Sequence, residues 1–214
     1  MTDILEILLA ILSALVVYKL FFYISKRSVA IRKLSSLRET CGASVSYTRM
    51  PFLSFFKLGD KPDAVIETKD SIYLLRFIDT PGGGKHLHFA SERFFVTYTK
   101  SPWSLGGLLQ LRRRYRVAAS NTHGTSSSER VRILPPMQIE EKYLSASEIY
   151  GKKVVPVLLF NPAPKELSYV TREKTSINVA FTGDEVYGFR VFTVSTFVIY
   201  VDRATREAKL KEFY

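Results

Sequence analysis

A long, nearly continuous apolar stretch opens the chain. Residues 4–24 are hydrophobic except for Glu6, Ser13 and Lys19. A helix rises about 1.5 Å per residue and about 20 apolar residues span a bilayer core, so this stretch is long enough to cross a membrane once. Four aromatic residues gather at its C-terminal end, as is typical of a membrane interface: Tyr18, Phe21, Phe22 and Tyr23. The pattern predicts a transmembrane helix.

Two other interpretations of this stretch are a cleaved signal peptide and a buried core helix. A signal peptide begins with basic residues, whereas this chain begins with Asp3 and Glu6. The stretch also ends in Ser25-Lys26-Arg27, a stop-transfer flank. A core helix is rarely apolar around its whole circumference for six turns. We therefore expect residues 1–27 to form a membrane anchor with a basic flank.

The charges beside the anchor predict its orientation. The charged side chains at its N-terminal end are all acidic, whereas five basic residues follow the anchor before the next acid, Glu39: Lys26, Arg27, Arg32, Lys33 and Arg38. The positive-inside rule places the N-terminus outside and the remaining chain in the cytoplasm. The single cysteine, Cys41, agrees with a reducing compartment and excludes a disulfide framework.

Residues 28–214 have the pattern of one cytoplasmic α/β domain. Ala30, Leu34 and Leu37 lie on one face of a helix that Gly42 would end. This helix would pack on a sheet, or lie on anionic lipid with its basic residues at the surface.

Short runs rich in β-branched and aromatic residues predict strands in the first half of the domain. The runs at 62–68 and 71–78, joined by Lys69-Asp70, predict a hairpin whose second strand is central because it is almost entirely apolar. Further strands are expected at 43–50, 86–90, 93–99 and 130–134, with the 86–90 and 93–99 runs paired. Residues 81–135 otherwise form a less regular, basic insertion.

The second half regains a regular pattern. A helix is expected from Pro136 to Tyr150, followed by a buried strand at 154–160 in which Pro156 indicates a sheet edge or a bulge. Strands are expected at 176–182 and 186–192. Residues 194–201 fit a helix or a strand, and residues 202–214 a frayed helix.

The chain resembles the nuclease-related members of the restriction-endonuclease-like superfamily. The residues that carry the resemblance are Asp63-Ala-Val-Ile, Ser71-Ile-Tyr-Leu-Leu, Gln138 and the 154–160 strand, within residues 29–80 and 136–201. It implies a mixed sheet flanked by helices, in the order helix, three strands, helix, strand, with Gln138 early in the second helix. In that family an Asp on the second strand and a Glu-x-Lys on the third hold a divalent metal and polarise water.

The chain departs from the family at the residues that perform catalysis. The Glu-x-Lys positions are Arg76-Phe77-Ile78, so a cation replaces a metal ligand. We therefore expect a non-catalytic module without a cofactor. The alternative is a Mg²⁺- or Mn²⁺-dependent nuclease that uses Asp63 or Asp60 with Glu67-Thr68-Lys69. Against it, a strand rises about 3.3 Å per residue, which separates Asp63 from Glu67 by about 13 Å.

Other candidate sites are weaker. Gly82-Gly-Gly-Lys85 lacks the first glycine and the final Ser/Thr of a phosphate loop, and His86 and His88 share a strand face without a third metal ligand nearby. The formal net charge is +11. Basic side chains that could contact phosphates of nucleic acid or lipid are Lys26, Arg27, Arg32, Lys33, Arg112, Arg113, Arg114 and Arg116.

Together these patterns predict a single-pass membrane protein with a binding or scaffolding domain. Its expected partners are membrane lipid and either nucleic acid or another protein. No small-molecule substrate is evident from the sequence.

Overall fold

The computed structural model describes residues 2–48, 60–79, 86–98, 130–134, 136–171, 173 and 176–212. These residues contain four helices: α1 (Thr2–Ser35), α2 (Leu37–Cys41), α3 (Glu141–Tyr150) and α4 (Val194–Glu212). The strands are β1 (Ser44–Tyr47), β2 (Ala64–Glu67), β3 (Ser71–Asp79), β4 (His86–Phe89), β5 (Phe94–Tyr98), β6 (Arg130–Ile133), β7 (Lys153–Asn161), β8 (Glu166–Val170), β9 (Ile177–Val179), β10 (Glu185–Val186) and β11 (Phe189–Thr193).

The first sheet is mixed and has six strands in the order β1-β2-β3-β7-β11-β10. The predicted hairpin is confirmed, because β2 pairs with β3 in antiparallel register from Ala64 opposite Leu75 to Glu67 opposite Ile72. The predicted central position of β3 is confirmed as well, since β3 pairs on its other side with β7, in parallel. Strand β11 continues this parallel arrangement beside β7.

A second sheet has five strands in the order β6-β5-β4-β8-β9. The predicted pairing of the 86–90 and 93–99 runs is confirmed by the antiparallel pairing of β4 with β5. The sequence did not indicate a separate sheet. Strands β4, β5 and β6 of the expected insertion join β8 and β9 through the parallel pairing of β4 with β8.

Three apolar clusters hold these layers together. On one face of the first sheet, β3 and β7 pack against Leu34 of α1, Leu37 of α2 and Phe197 of α4. On the opposite face, one end of the sheet packs against α3, through Leu74 and Tyr143 among others. The other end of that face packs against the second sheet. The first sheet is therefore the middle layer of three.

Pro156 does not mark a sheet edge or a bulge, because β7 lies between β3 and β11. The Lys153 N–H donates to the Asp70 carbonyl on the β3 side (2.9 Å). Successive N–H groups of a strand point to alternate sides, so the ring nitrogen of Pro156 faces the β11 side. Pairing with β11 begins only at Val157. The proline therefore removes no hydrogen bond from the β3–β7 ladder.

The expected strand at 186–192 is wrong, because two strands occupy it. Val186 pairs with Phe189 across a two-residue turn. Both turn residues have positive φ, 52° at Tyr187 and 82° at Gly188. This is the geometry of a type I′ hairpin turn, whose usual sequence signal is Asn-Gly or Asp-Gly rather than Tyr-Gly.

Two helix predictions also change. The helix expected from Pro136 begins only at Glu141, so Gln138 precedes it and does not lie within it. The segment 194–201, which fitted a helix or a strand, is helical and continues as α4 to Glu212. The predicted stops are confirmed, since Gly42 (φ 66°) and Gly151 (φ 65°) adopt the left-handed conformation that ends α2 and α3.

Among the described side chains of helix α1, those buried in the domain lie near its C-terminal end. Ala30 and Leu34 are buried in the core, whereas the apolar side chains from Ile7 to Val17 are exposed. Among the described residues, no helix combines the length and the continuous apolar character that a membrane crossing requires. The side chains of residues 2–5, 19, 20 and 22–27 lie outside the described part of the chain, and the predicted span stays a prediction.

The buried Tyr73 predicts how stability changes at high pH. Its ring packs edge-on against Phe197 (5.5 Å between centroids) and Tyr200 (6.3 Å). Burial raises the pKa of the Tyr73 phenol above its ordinary value of 10.0. Because the folded state then holds its proton longer than the unfolded state, stability should fall as the pH rises above 10.0.

Replacing Tyr73 with Phe should remove part of this loss. We expect the thermal midpoint of Tyr73→Phe to fall less steeply above pH 10.0 than that of the unchanged chain. Tyr150 is 72% exposed, so Tyr150→Phe serves as the matched control. Identical slopes for all three proteins, measured in the same detergent by circular dichroism, would contradict the prediction.

Candidate functional site at the β2–β3 hairpin

A buried arginine occupies the centre of the first sheet. Arg76 lies on β3 and is 1% exposed. It is register partner to Leu158 of β7. Side chains alternate along a strand, so Arg76 shares a face with Leu74, which packs under α3, and with Ile78, which packs under the second sheet. Arg76 therefore lies at the seam between α3 and the second sheet.

The Arg76 guanidinium joins two segments that are distant in sequence. Its Nη2 donates to the carbonyl oxygens of Asp60, before β2, and of Pro136, before α3, both at 3.4 Å. The same Asp60 carbonyl accepts the N–H of Gln138 at 2.8 Å. The seam is thus closed by backbone carbonyls that face a positive charge. Arginine suits this position because its several donors can satisfy more than one acceptor.

Asp63, the candidate ligand of the resemblance, precedes β2. Its backbone N–H donates to the Leu75 carbonyl (2.8 Å). Since Ala64 pairs with Leu75, the next step of the antiparallel register places Asp63 opposite Arg76. Its Oδ2 accepts the N–H of Phe77 at 2.8 Å. The Asp63 carboxylate is therefore hydrogen-bonded to the backbone of β3, at the residue that follows Arg76.

This arrangement is unfavourable for the metal chemistry of the family. A divalent cation at Asp63 would lie against a buried guanidinium, and like charges repel strongly where water is excluded. The third position of the motif is Ile78, which is 2% exposed in the core under the second sheet. An aliphatic side chain there supplies no charge to polarise an attacking water.

The residues of the alternative nuclease do not meet in one site. Glu67, at the far end of β2 from Asp63, forms an ion pair with Lys152 (Oε1 to Nζ, 2.5 Å). Lys69 is exposed in the hairpin turn, and Asp60 is exposed in the segment before β2. The sequence did not predict Lys152 as the partner of Glu67, because the two residues are far apart along the chain. The pairing of β3 with β7 brings them together.

His86 and His88 share one face of β4, as the strand period predicts, and both are buried. Each lies beside its register partner on β8: His86 Nδ1 is 3.3 Å from Glu166 Oε2, and His88 Nδ1 is 3.0 Å from Ser168 Oγ. Within the described ranges, no group of three or more His, Cys, Asp or Glu side chains is arranged to hold a metal ion.

The predicted phosphate-contacting residues are described only in part. Arg32 and Lys33 are exposed near the end of α1, and Lys33 Nζ donates to Ser195 Oγ at 2.8 Å. The side chains of Lys26 and Arg27 lie outside the described part of the chain, as do the whole residues Arg112, Arg113, Arg114 and Arg116.

Comparison with known proteins identifies no relative. No family model matches the chain, no curated protein matches it, and no solved structure matches it.

Removing the buried guanidinium should destabilise the domain strongly. Arg76→Ala would remove the Arg76 donor from the Pro136 carbonyl and one of two donors from the Asp60 carbonyl, and it would empty the seam. Truncating a large, fully buried side chain and leaving a buried acceptor unpaired costs about 3–5 kcal/mol, which corresponds to about 10 °C in the thermal midpoint of a domain of this size. The measurement is thermal unfolding of the full chain in detergent.

Arg203→Ala is the matched control, because the Arg203 side chain is 80% exposed and pairs with Glu207 within α4. An exposed pair of this kind contributes less than about 1 kcal/mol. Similar thermal midpoints for the two variants would show that Arg76 does not hold the seam together.

Proposed function

We propose that the protein is a single-pass membrane protein, with its N-terminus outside, whose cytoplasmic domain is a catalytically degenerate restriction-endonuclease-like fold. The domain acts as a binding or scaffolding module at the membrane surface. It contacts nucleic acid, another protein or anionic lipid through its basic residues. Tethering to a surface raises the local concentration of partners that share this surface, so weak contacts suffice for binding.

The observation that carries the membrane part is the exposed apolar surface of α1. Each of its described large apolar side chains before Ser28 is at least 53% exposed: Ile7, Leu8, Leu9, Ile11, Leu12, Leu15, Val16, Val17, Tyr18 and Phe21. Soluble proteins rarely expose so much contiguous apolar surface. Transfer of each side chain to hydrocarbon gains about 1.5–3 kcal/mol, which supports burial of this helix in lipid.

The restriction-endonuclease-like fold is supported by the order of the elements, and its non-catalytic character is supported by Arg76. Helices α1 and α2, strands β1 to β3, helix α3 and strand β7 come in the order that the resemblance implies, with β4, β5 and β6 inserted between β3 and α3. At the position that the family gives to a metal-binding carboxylate, Arg76 is buried and bonded to two carbonyls. This replacement favours binding over hydrolysis.

The anchor can be tested by placing charges on α1. Leu12 and Val16 are 62% and 59% exposed, and Ile199 and Leu210 on α4 are 67% and 59% exposed. An Arg at the centre of a membrane helix costs about 2.5–3.5 kcal/mol, so Leu12→Arg with Val16→Arg should abolish flotation of the full chain with lipid vesicles.

The matched control is Ile199→Arg with Leu210→Arg, which should float as the unchanged chain does. Loss of flotation in both double variants, or in neither, would contradict a specific role for α1. The predicted orientation can be tested in sealed vesicles whose cytoplasmic face points outward. The N-terminus should then be protected from added protease.

Catalysis can be tested on the full chain in detergent with Mg²⁺ or Mn²⁺ and labelled DNA and RNA. We expect no cleavage above that of Asp63→Asn, a variant that keeps an oxygen to accept the Phe77 N–H. Metal-dependent cleavage that is lost in both Asp63→Asn and Glu67→Gln would instead establish the alternative nuclease.

A further inference from the structure

We propose that the end of the domain from which α1 leaves lies against lipid headgroups, with Phe181 as its most exposed contact. This inference rests on the proposed membrane anchor and adds a defined docking surface to it. The surface consists of Phe181, Val179 and Lys165, and its partner is the headgroup layer of the bilayer that holds α1.

The direction of α1 follows from its contacts with α4. Lys33 Nζ lies 2.8 Å from Ser195 Oγ, near the first residue of α4, and Cys41 Sγ lies 3.7 Å from Asp202 Oδ1, two turns further along. The chain from Lys33 to Cys41 therefore runs beside α4 in the same direction. Traced backwards from Lys33, α1 extends beyond the beginning of α4.

Contacts with β1 give the same direction. Arg38 donates to the carbonyl of Val45, and the Tyr47 hydroxyl donates to the carbonyl of Ile31 (3.3 Å). As the chain is traced backwards from Arg38 of α2 to Ile31 of α1, its partners on β1 advance from Val45 to Tyr47. Strand β1 runs parallel to β3, β7 and β11, because two antiparallel pairings separate it from β3. Helix α1 therefore leaves past the edge where these strands end, which we call the carboxyl edge.

The distance from this edge to the bilayer is short. The apolar stretch ends at Ile24, nine residues before Lys33, which corresponds to about 14 Å along a helix. The headgroup layer occupies about 6 Å of this distance. Membrane helices tilt by about 20° on average, which brings one side of a domain closer to the lipid. Exposed side chains at the carboxyl edge can therefore reach the headgroups.

Phe181 lies at this edge and is connected to α1 through a series of contacts. Lys33 contacts Ser195, and the next residue, Thr196, has its Oγ1 3.3 Å from Thr182 Oγ1. Phe181 directly precedes Thr182. Its N–H donates to Asp184 Oδ2 (2.8 Å), which holds the backbone of the turn. The residue is nevertheless 72% exposed.

The neighbours of Phe181 suit a lipid surface. Val179 is 49% exposed, and Lys165, which is also exposed, lines the same cleft as Val179 and Phe181. Aromatic rings favour the membrane interface, and a lysine near anionic lipid gains about 1 kcal/mol. The combination of an aromatic ring, an aliphatic residue and a lysine at the edge beside the anchor supports lipid as the partner.

The chain supplies a matched control at the opposite edge of the sheet. Ile149 is 71% exposed at the end of α3, just before Gly151 and the first residue of β7, Lys153. Since β7 begins at this edge and ends at the carboxyl edge, Ile149 should face away from the bilayer. Phe181 and Ile149 are about equally exposed, so a difference between labels at these two positions would report their distances from the lipid.

The test measures this distance by fluorescence quenching. In a Cys41→Ser background, which removes the single native thiol, Phe181→Cys and Ile149→Cys each carry one fluorophore. The full chain is placed in nanodiscs of phosphatidylcholine and phosphatidylserine that contain headgroup nitroxide lipid. The label at position 181 should lose about half of its fluorescence, because it lies within or beside the headgroup layer. The label at position 149 should lose little.

The outcomes separate this inference from the proposed anchor. Equal quenching at the two positions, or stronger quenching at position 149, would overturn the docking surface while the anchor stands. If the full chain fails to enter nanodiscs, both the anchor and the docking surface are overturned. Strong quenching at position 181 that persists in 1 M salt would support insertion of the apolar edge, because salt at that concentration screens charges beyond about 3 Å.

Discussion

The parallel pairing of β3 with β7 is the contact on which the rest of the fold depends. It joins residues 71–79 to residues 153–161, and parallel strands require a long crossover connection. Within this crossover lie β4, β5, β6 and α3. Helix α3 covers one end of the first sheet, whereas β4 pairs with β8, which follows β7. The second sheet is therefore assembled from chain that precedes β7 and chain that follows it.

Arg76 lies where these parts converge, and its burial is costly unless its donors are satisfied. The Asp60 and Pro136 carbonyls come from the segments before β2 and before α3, so the arginine couples the hairpin to the crossover. In the proposed relationship to nucleases, a carboxylate at this position would require a metal to balance the charge of Asp63. An arginine supplies positive charge covalently, without a bound ion.

Local patterns in the sequence predicted local structure well. The β2–β3 and β4–β5 hairpins, the central β3 and the glycine stops of α2 and α3 depend on neighbouring residues, which the sequence shows directly. The second sheet, the Glu67–Lys152 pair and the position of Glu166 beside His86 depend on parallel pairing between distant segments. The prediction that Pro156 marks a sheet edge or a bulge was wrong, because the effect of a proline depends on which neighbouring strand its ring nitrogen faces. In β7 the ring nitrogen faces β11, and pairing with β11 begins only at the next residue. Tyr187 misled because a non-glycine residue with positive φ in a tight turn is uncommon.

The continuity of α1 gives the proposed tether a mechanical consequence. One helix runs from Thr2 to Ser35, and its last two turns bury Ala30 and Leu34 in the core. A flexible linker would let the domain rotate freely above a membrane, whereas an unbroken helix transmits its own tilt to the domain. Because the buried leucine and alanine fix the rotation of the helix about its axis, the carboxyl edge has a defined orientation relative to the apolar segment. In the proposed arrangement, a partner of the domain would approach from the sides or from the opposite edge, where lipid would leave space.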